Sequence, residues 1–318
     1  MLKLAIIGAG IMGERLARAA RDHAADVVEI TGIWDLSPDA TARLAAELPG
    51  LTVAASAEAA MQSGDCVYIA SPPGSHLGYA ETAIGMGKSV FCEKPLSVDL
   101  AGSCNFLTRH KGARAGVNFP FASSLAVAKL MEWMPGIGTP QTLTIDVAFR
   151  QWPRPWQHDA ASWLDRRKEG GFTREVVSHF LFLARRLLGP LSLEEALVQY
   201  PDNGHSEYDI RARLKAGSVP VALTGNVGMV PKDDHNFWIL RGEAGSVRLA
   251  DWSIAELQGA DGKWHPDPNA LPNERMRPLV LRRQLEEVAK MNRGEKHRLA
   301  TLSEALDVQE MVEAILAS

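Results

Sequence analysis

The sequence has few cysteines and no excess of positive charge. Only three of its 318 residues are cysteines, Cys66, Cys92 and Cys104, and they form neither a CxxC pair nor an even set. A disulfide-stapled secreted scaffold is therefore excluded, and we expect reduced thiols in a cytoplasmic protein. Lysine and arginine number 34 against 38 acidic residues, giving a net charge of -4. That balance lacks the basic excess of a nucleic-acid-binding surface.

Long apolar runs are also missing. No stretch approaches the roughly 18 consecutive apolar residues that a membrane-spanning helix requires. The apolar N-terminal stretch, residues 1–13, is short and has no small-residue cleavage site after it, so we expect a first strand and turn rather than a signal peptide. The length of 318 residues suits two domains, since a single core stops growing at about 250–300 residues.

Short apolar runs alternate with alanine-rich helical stretches over the first 121 residues. The runs are KLAIIG, VVEITGIWD, LTVAAS, DCVYIASPP, KSVFCE and ARAGVNF. Continuous apolar runs, unlike alternating ones, are typical of strands buried on both faces of a parallel sheet. The pattern predicts an α/β domain with a doubly wound parallel sheet over residues 1–121.

The remainder, residues 122–318, has a different pattern. A helix over SLAVAKLMEWM precedes longer alternating strands, QTLTIDVAFRQW, SEYDIRARLKAG, PVALTGNVGMV, FWILRGEAGSVRLAD and IAELQG. Three further helices are predicted, over REVVSHFLFLARRLLG, RRQLEEVAKMNRG and SEALDVQEMVEAILAS, the last with an incomplete capping box from Ser303 to Leu306. These elements predict an α+β domain with an open, mainly antiparallel sheet and helices on one face.

A glycine motif directly follows the first predicted strand. Gly8, Gly10 and Gly13 have GxGxxG spacing, with Ile11 and Met12 between the last two. This spacing is typical of a dinucleotide pyrophosphate site at a helix N-terminus. Asp35 ends the next strand, 22 residues after Gly13, where a carboxylate would accept hydrogen bonds from the ribose hydroxyls. We therefore predict NAD rather than NADP; the alternative is a tight glycine turn with a solvated Asp35.

A second turn, SPPGSH, follows a buried strand at residues 71–76. Ligands of doubly wound sheets bind at the carboxyl ends of strands, so Ser71, Pro72 and Pro73 are predicted to contact the cofactor. His76 either contacts the nicotinamide side or caps the next helix.

Glu175 and His179 are four residues apart on a predicted helix and share one of its faces. An imidazole oriented by a carboxylate is a plausible general base near neutral pH. The alternatives are a surface ion pair and a metal pair. A third metal ligand is missing, so we predict no metal site.

Tryptophans are concentrated in one part of the second domain. Four of the eight lie between residues 133 and 163, and polar groups accompany the later ones: Trp133, Trp152, Trp156 and Trp163, with Arg150, Arg154 and His158. Flat rings beside polar groups could bind a sugar or polyol, and core packing is the alternative.

The stretch VFCEKPLSVD, residues 90–99, places Glu93, Lys94 and Pro95 where a buried strand ends. Together with the glycine motif, SPPGSH and the GG…E…SH pattern at 170–179, this tripeptide resembles the Gfo/Idh/MocA family of nicotinamide-dependent oxidoreductases. The resemblance spans nearly the whole chain. It implies an N-terminal Rossmann domain and a C-terminal domain whose open sheet commonly makes dimers or tetramers.

The resemblance implies a role for each site residue. Lys94 and His179 would be the catalytic pair: Lys94 would hydrogen-bond the reacting oxygen and His179 would take the hydroxyl proton. Glu93 would tune Lys94 or contact the cofactor, and Asn118 would belong to the cofactor site. Glu175 stands where the family usually has Asp.

The expected activity is interconversion of a hydroxyl and a carbonyl on a sugar, inositol or related polyol with NAD(P). Three alternatives remain open: reduction of a non-sugar carbonyl or conjugated double bond, NAD-using glycoside hydrolysis, and a non-catalytic NAD-binding sensor. Pro120 stands where many family members have a basic residue, so the substrate or cofactor contact of that residue is not expected here.

Overall fold

In a computed structural model, the protein forms two compact units. The structure describes residues 1–232 and 235–318, apart from the side chains at positions 158, 159 and 161. Residues 1–123 and 278–306 form the first unit, and residues 124–277 and 307–318 form the second. The first unit therefore includes a segment from late in the chain, because apolar side chains such as Leu285, Val288 and Met291 pack into its core.

The first unit contains a five-stranded parallel sheet with strand order β2-β1-β3-β4-β5. Its strands are β1 (Leu2–Ile7), β2 (Val28–Trp34), β3 (Cys66–Ile69), β4 (Ser89–Cys92) and β5 (Ala115–Val117). Its helices up to residue 123 are α1 (Ile11–His23), α2 (Pro38–Glu47), α3 (Ala57–Ser63), α4 (His76–Gly85) and α5 (Leu100–Arg109). The predicted doubly wound parallel sheet is confirmed.

Residues 51–56, predicted as a strand, do not form one. Val53 makes a single parallel bridge with Ile33. The chain then starts α3, because the Ser56 hydroxyl accepts a hydrogen bond from the backbone N–H of Ala59 at 3.1 Å. A serine N-cap thus ends the extended stretch after one point of pairing.

The second unit contains an eight-stranded sheet with order β13-β12-β11-β10-β6-β9-β8-β7. Its strands are β6 (Pro140–Phe149), β7 (Leu191–Gln199), β8 (Asp209–Ala216), β9 (Val219–Val227), β10 (His235–Gly242), β11 (Ser246–Ala250), β12 (Ile254–Gln258) and β13 (Trp264–Pro266). Neighbouring strands are antiparallel except β6 and β9, which are parallel. The mainly antiparallel prediction is confirmed.

The remaining helices are α6 (Leu125–Trp133), α7 (Ala161–Leu164), α8 (Ser178–Leu188), α9 (Asn273–Asn292) and α10 (Leu302–Leu316). The division between the two units falls within α9 and α10. In β8 and β9 buried and exposed residues alternate, so one face of the sheet is covered. Helix α6 packs against β11 and β12, and α8 packs against β8. No helix in the described part of the chain is long and apolar enough to cross a membrane.

Strand β7 and the cap of α10 differ from the prediction. The sequence of β7 is LSLEEALVQ. Its pairing with β8 shifts register between Leu193 and Glu195, and the apolar-polar alternation is interrupted at the same point, so the strand was not predicted. Helix α10 has a complete capping box: Thr301 Oγ1 accepts from the N–H of Glu304 at 3.1 Å, and the Glu304 carboxylate accepts from the N–H of Thr301 at 2.9 Å. The predicted incomplete cap at Ser303 was therefore wrong, because the box begins two residues earlier.

Candidate active site

The three glycines of the first loop have three different environments. Gly8 has φ +108°, and a Cβ there would lie 2.6 Å from the carbonyl carbon and oxygen of Ala70. At Gly13 a Cβ would lie 1.8 Å from the carbonyl oxygen of Gly8, so α1 can approach β1 only with glycine at this position. At Gly10 no described atom lies within 4 Å of such a Cβ. The open side of Gly10 is where a pyrophosphate can approach the backbone.

Asp35 lies directly after β2 and holds this loop. Its carboxylate oxygens accept hydrogen bonds from the backbone N–H of Ala9 at 2.7 Å and of Ser37 at 2.8 Å. A carboxylate has about four acceptor positions, so Asp35 retains capacity for hydroxyl donors. Ile11 and Met12 are half-buried in the first turn of α1, where backbone N–H groups lack intrahelical acceptors. The loop therefore fits a dinucleotide.

Arg43, the arginine on α2, forms ion pairs with two glutamates. Arg43 Nη1 lies 2.8 Å from Glu14 Oε2 and 3.6 Å from Glu47 Oε1. Burial opposes ionisation of Glu14, but hydrogen bonds from Arg43 and Arg18 outweigh it and lower the pKa of Glu14. Arg43 is thus paired with two carboxylates at the surface, and its Nη2 lies 3.5 Å from the carbonyl oxygen of Ala9.

His76 connects the SPPG turn to the segment after β4. Its Nε2 lies 2.8 Å from the carbonyl oxygen of Ser71, and its Nδ1 lies 2.8 Å from the carbonyl oxygen of Pro95. The side chain is 1% exposed. Each ring nitrogen thus lies at hydrogen-bond distance from a backbone carbonyl oxygen, which only accepts. Pro73 is buried, Ser71 half-buried and Pro72 exposed.

Glu93 and Lys94 follow the last residue of β4, and both are buried, with 7% and 9% exposure. The Glu93 carboxylate accepts hydrogen bonds from the Tyr68 hydroxyl and from Asn118 Nδ2. The peptide bond between Lys94 and Pro95 is cis. Lys94 thus lies at the carboxyl edge of the parallel sheet, where the loops after β1 and β3 also lie.

Asn118 follows β5, and its backbone N–H donates to the carbonyl oxygen of Cys92 at 2.7 Å. Its amide nitrogen lies 2.6 Å from Glu93 Oε1, and its amide oxygen lies 2.6 Å from Gln284 Nε2. Pro120 is half-buried and begins a short 3₁₀ turn over residues 120–123. The three cysteines form no disulfide in the described structure.

The second unit carries the other two predicted catalytic residues, Glu175 and His179, and both are half-buried. A π-helical turn, Thr173–Val177, leads directly into α8, so a continuous helix carries both. Single π turns of this kind frequently occur at functional sites. The first part of the predicted α-helix is thus a wider π turn, which contains Glu175.

A buried carboxylate caps the start of this helix. Glu207 is 2% exposed, and its Oε1 accepts from the N–H and the hydroxyl of Thr173, each at 2.5 Å. The hydroxyl of Ser206 accepts from the N–H of Phe172 at 3.0 Å. Gly171 has φ +112°, and a Cβ there would lie 2.9 Å from Glu207 Oε2. The second glycine of the GG…E…SH pattern thus makes room for the cap.

Trp252 contacts the imidazole of His179. The two ring centroids are 5.5 Å apart with planes at 74°, and Trp252 also lies 4.9 Å from the ring of Phe180. Asp251 and Trp252 have φ of 45° and 72°, the two positive values among the described non-glycine residues. Such values are strained for bulky side chains and often occur at functional sites.

The four tryptophans of the predicted platform have different neighbours. The guanidinium carbon of Arg154 lies 4.5 Å from the ring centroid of Trp156 and 4.8 Å from that of Phe149. Trp152 packs edge-on against Phe172 and donates to the carbonyl oxygen of Leu164 at 3.2 Å. Trp133 lies below Lys129 on α6, Trp163 is half-buried in α7, and Arg150 is exposed. The side chain of His158 lies outside the described residues.

Four residues near the candidate site were not identified from the sequence: Tyr68, Glu207, Trp252 and Gln284. Tyr68 and Gln284 contact the Glu93–Asn118 pair from elements distant in sequence, and Trp252 depends on an unusual turn. Of the four, only Glu207 could have been noticed from the local sequence, because it belongs to a polar Ser-Glu pair at the start of a predicted strand. Among the described residues, no group of three His, Cys, Asp or Glu side chains could hold a metal ion.

Comparison with protein families gives two matches that together cover most of the chain. The description "Oxidoreductase family, NAD-binding Rossmann fold" matches residues 2–119, and "Oxidoreductase family, C-terminal alpha/beta domain" matches residues 136–318. The chain belongs to the Gfo/Idh/MocA oxidoreductase family. The resemblance stated from the sequence is therefore confirmed, as are the Rossmann sheet and the α/β character of the second part.

The curated relatives match this chain over only part of their own length. Inositol 2-dehydrogenase of Cereibacter sphaeroides is 34% identical over 103 residues, which are 32% of this chain and 30% of that protein. The chain spans less than a third of the length of the first curated relatives it matches.

Solved structures resemble the chain over nearly its whole length. Levoglucosan dehydrogenase, in complex with NADH and levoglucosan, has a TM-score of 0.84 at 17% identity, with 100% of this chain and 96% of that chain covered. Biliverdin reductase of Synechocystis, in complex with biliverdin and NADP+, has a TM-score of 0.74 at 19% identity, with 99% and 98% covered. At these identities the likeness shows the fold alone, and the two neighbours bind different substrates.

Proposed function

We propose that the protein is an NAD-dependent oxidoreductase that interconverts a hydroxyl and a carbonyl on a sugar, an inositol or a related polyol. The observation that carries this proposal is the position of Lys94, a buried lysine at the carboxyl edge of the Rossmann sheet. A buried lysine is costly unless its ammonium group is paired, so its presence at this edge favours a polar role over simple packing. Family membership and the partial similarity to inositol 2-dehydrogenases support the same reading.

Each proposed catalytic residue has a defined task. When bound, the nicotinamide would accept or supply the hydride. Lys94 would donate a hydrogen bond to the reacting oxygen and stabilise its negative charge. His179 would take the hydroxyl proton in oxidation and return it in reduction. Glu175, on the same helix, would orient the imidazole or bind a substrate hydroxyl.

The proposed cofactor is NAD, with NADP as the less favoured form. Asp35 would meet the ribose hydroxyls and repel a 2′-phosphate. Arg43 is engaged by Glu14 and Glu47, which would compete with that phosphate for its guanidinium. Gly8, Gly10 and Gly13, with the N–H groups of Ile11 and Met12, would hold the pyrophosphate, and residues 71–73, which His76 holds from behind, would line the nicotinamide side.

The assembly and location belong to the same proposal. One face of the second unit's sheet is exposed, with Arg211, Arg213 and Lys215 of β8 pointing outward. We propose that this face forms a homodimer or homotetramer in the cytoplasm, where the three cysteines would stay reduced. Light scattering during size-exclusion chromatography measures the assembly directly, and a monomer at micromolar concentration would contradict it.

The test is a cofactor-reduction assay with a panel of inositols, hexoses, pentitols and uronic acids, followed at the absorbance of NADH. The proposal expects NADH to accumulate with at least one polyol and more slowly with NADP than with NAD. Oxidation of NADH by a conjugated enone or ketone, with no polyol oxidised, would replace the polyol substrate with the reductase alternative. Release of a sugar from a glycoside without net NADH would indicate hydrolysis instead.

A further inference from the structure

Four buried polar side chains of the first unit form one hydrogen-bonded chain. Gln284 Nε2 donates to Asn118 Oδ1 at 2.6 Å, Asn118 Nδ2 donates to Glu93 Oε1 at 2.6 Å, and the Tyr68 hydroxyl donates to the same oxygen. Exposure is 0% for Tyr68 and Gln284, 2% for Asn118 and 7% for Glu93. Residues from β3, from the ends of β4 and β5 and from helix α9 thus form one chain that ends at the Glu93 carboxylate.

Tyr68 and Asn118 donate to Glu93 directly, and Gln284 donates to Asn118. A buried carboxylate is costly unless donors satisfy it, and here two donors reach a single oxygen. Burial, followed by the negative charge of Glu93, raises the pKa of the Tyr68 hydroxyl well above its usual range. The hydroxyl therefore remains a donor throughout the physiological pH range. Gln284 in turn fixes the orientation of the Asn118 amide.

The backbone around Glu93 is held from three sides. The N–H of Glu93 donates to the carbonyl oxygen of Ile69 at 2.9 Å, and the carbonyl oxygen of Cys92 accepts from the N–H of Asn118 at 2.7 Å. Beyond Lys94, the Pro95 carbonyl oxygen lies 2.8 Å from His76 Nδ1. Lys94 is therefore the residue between two anchored neighbours, Glu93 and Pro95.

We propose that the Gln284–Asn118–Glu93–Tyr68 chain is a positioning device for Lys94, in which Tyr68 and Gln284 are positioning residues that hold the Glu93 carboxylate inside the sheet. This inference rests on the proposed catalytic role of Lys94. It assigns Glu93 the role of an internal acceptor, which differs from direct contact with the cofactor. It also gives the late segment 278–306 a function in the first unit beyond apolar packing.

The structure suggests variants that each remove the hydrogen bonds of one side chain; the Tyr68 hydroxyl donates to Glu93 and also accepts from Asn118 Nδ2 at 3.4 Å. Tyr68→Phe removes the hydroxyl and keeps the ring, which stacks on Phe91 at a centroid distance of 5.3 Å. Gln284→Met preserves the side-chain length, and because Gln284 Oε1 is buried with no hydrogen-bond partner among the described residues, it removes the single bond to Asn118. Tyr208→Phe is the matched control, since its hydroxyl bonds Gln199 Oε1 at an exposed position.

Glu93→Gln separates position from charge. A glutamine oxygen can still accept from Tyr68 and Asn118, so a purely positional Glu93 predicts that Glu93→Gln keeps most activity. Glu93→Ala removes the acceptor as well. Equal losses in Glu93→Gln and Glu93→Ala would show that the charge of Glu93 acts on Lys94 or on the cofactor, which would overturn the positional role.

The deciding experiment combines hydrogen exchange with kinetics on the full chain. Backbone exchange across residues 90–97, measured by mass spectrometry, does not depend on activity. We expect about tenfold faster exchange there in Tyr68→Phe and Gln284→Met, a kcat about tenfold lower, and an NADH dissociation constant within twofold of the parent. The double variant should lose little more than either single variant, because both act on one chain.

The remaining outcomes distinguish this inference from the proposed function. Unchanged exchange across 90–97 in both variants would overturn the inference, whatever the activity. Faster exchange with unchanged kcat would also overturn it, provided that Lys94→Ala is inactive. If Lys94→Ala is itself fully active, the proposed function of Lys94 fails, and the exchange data alone then report an anchor without a catalytic role.

Discussion

A Cβ atom at position 13 would lie 1.8 Å from the carbonyl oxygen of Gly8, whereas one at position 10 would meet no described atom within 4 Å. The fold requires glycine at position 13, where any side chain would clash. It does not require glycine at position 10, so the open space there matters only for a ligand. The two positions therefore separate stability from ligand binding within a single loop.

Gly10→Ala and Gly13→Ala should have opposite phenotypes. Gly10 has φ -75°, which alanine adopts without strain, so Gly10→Ala should change the free energy of unfolding by less than about 1 kcal/mol. It should weaken NADH binding by about tenfold or more, because the methyl group occupies the approach to the backbone. Gly13→Ala should lower the melting temperature strongly or prevent folding. Thermal melts and NADH titrations measure both, and normal NADH binding by Gly10→Ala would contradict the assignment.

Asp35→Asn should reduce the preference for NADH over NADPH. The amide still accepts one hydrogen bond from the loop, but it no longer repels a 2′-phosphate. We expect the ratio of the two dissociation constants to move by about tenfold towards NADPH. Asp39→Asn, an exposed residue in the first turn of α2, removes the same charge and is the control. An equal change in both variants would mean that Asp35 acts only through net charge.

Lys94→Ala should abolish most turnover and leave cofactor binding intact. Loss of a donor to the reacting oxygen costs about 10²–10³ in kcat. The NADH dissociation constant should change less than about threefold, since other residues hold the dinucleotide. Lys111→Ala, an exposed lysine of the same unit, should match the parent protein. Steady-state kinetics decide the point, and a Lys94→Ala variant with full turnover would remove Lys94 from the mechanism.

Trp252→Leu should lower kcat through His179. The indole contacts the imidazole, and the protein holds Trp252 at a strained φ of 72°. Loss of the ring should let the imidazole reorient and reduce kcat by about tenfold, with a changed pH profile of kcat. Trp264→Leu is the control, because that ring packs on Arg248, with 4.5 Å between the guanidinium carbon and the ring centroid. An unaltered pH profile in Trp252→Leu would limit Trp252 to packing.

The ion pair between Asp26 and Arg282 should stabilise the first unit at neutral pH and not in strong acid. Hydrogen bonds from Arg282 at 2.7 and 2.8 Å lower the pKa of Asp26 from 3.8 to about 2. A carboxylate with a depressed folded-state pKa stabilises above its unfolded value, and that contribution is lost as the pH falls from about 4 to about 2.

Urea denaturation of Asp26→Asn and the parent protein between pH 2 and 6 measures this directly. The two midpoints should differ at pH 6 and converge near pH 2. Glu29→Gln, an exposed carboxylate on β2, provides the comparison. A difference between Asp26→Asn and the parent that is constant over this range would contradict the depressed pKa.

The first unit's sheet was predictable because its signals are local. Continuous apolar runs identify β1, β3 and β4, and the glycine spacing fixes the loop after β1. The stretch 51–56 misled the prediction, because an apolar run cannot reveal that Ser56 caps a helix. Strand β7 was missed for the opposite reason, since paired glutamates at an irregular register interrupt its alternation.

The supports of the candidate site could not be predicted from spacing. Asn118 and Gln284 are separated by 166 positions in the chain, and no local pattern links a glutamine on α9 to a strand end. The cap on Thr173 depends on Glu207, 34 positions away. Trp252 required the backbone angles of its turn. The proposed reacting groups lie in short motifs, whereas the residues proposed to position them are brought together only by the folded chain.

The most direct test of this account is a parallel titration of the purified protein with NADH and NADPH, followed by nicotinamide fluorescence. The account predicts saturable binding of both, with NADH at least about tenfold tighter, because Asp35 would meet the ribose hydroxyls and repel a 2′-phosphate. Tighter binding of NADPH would contradict the role of Asp35. Binding of neither dinucleotide would contradict the proposed oxidoreductase function itself.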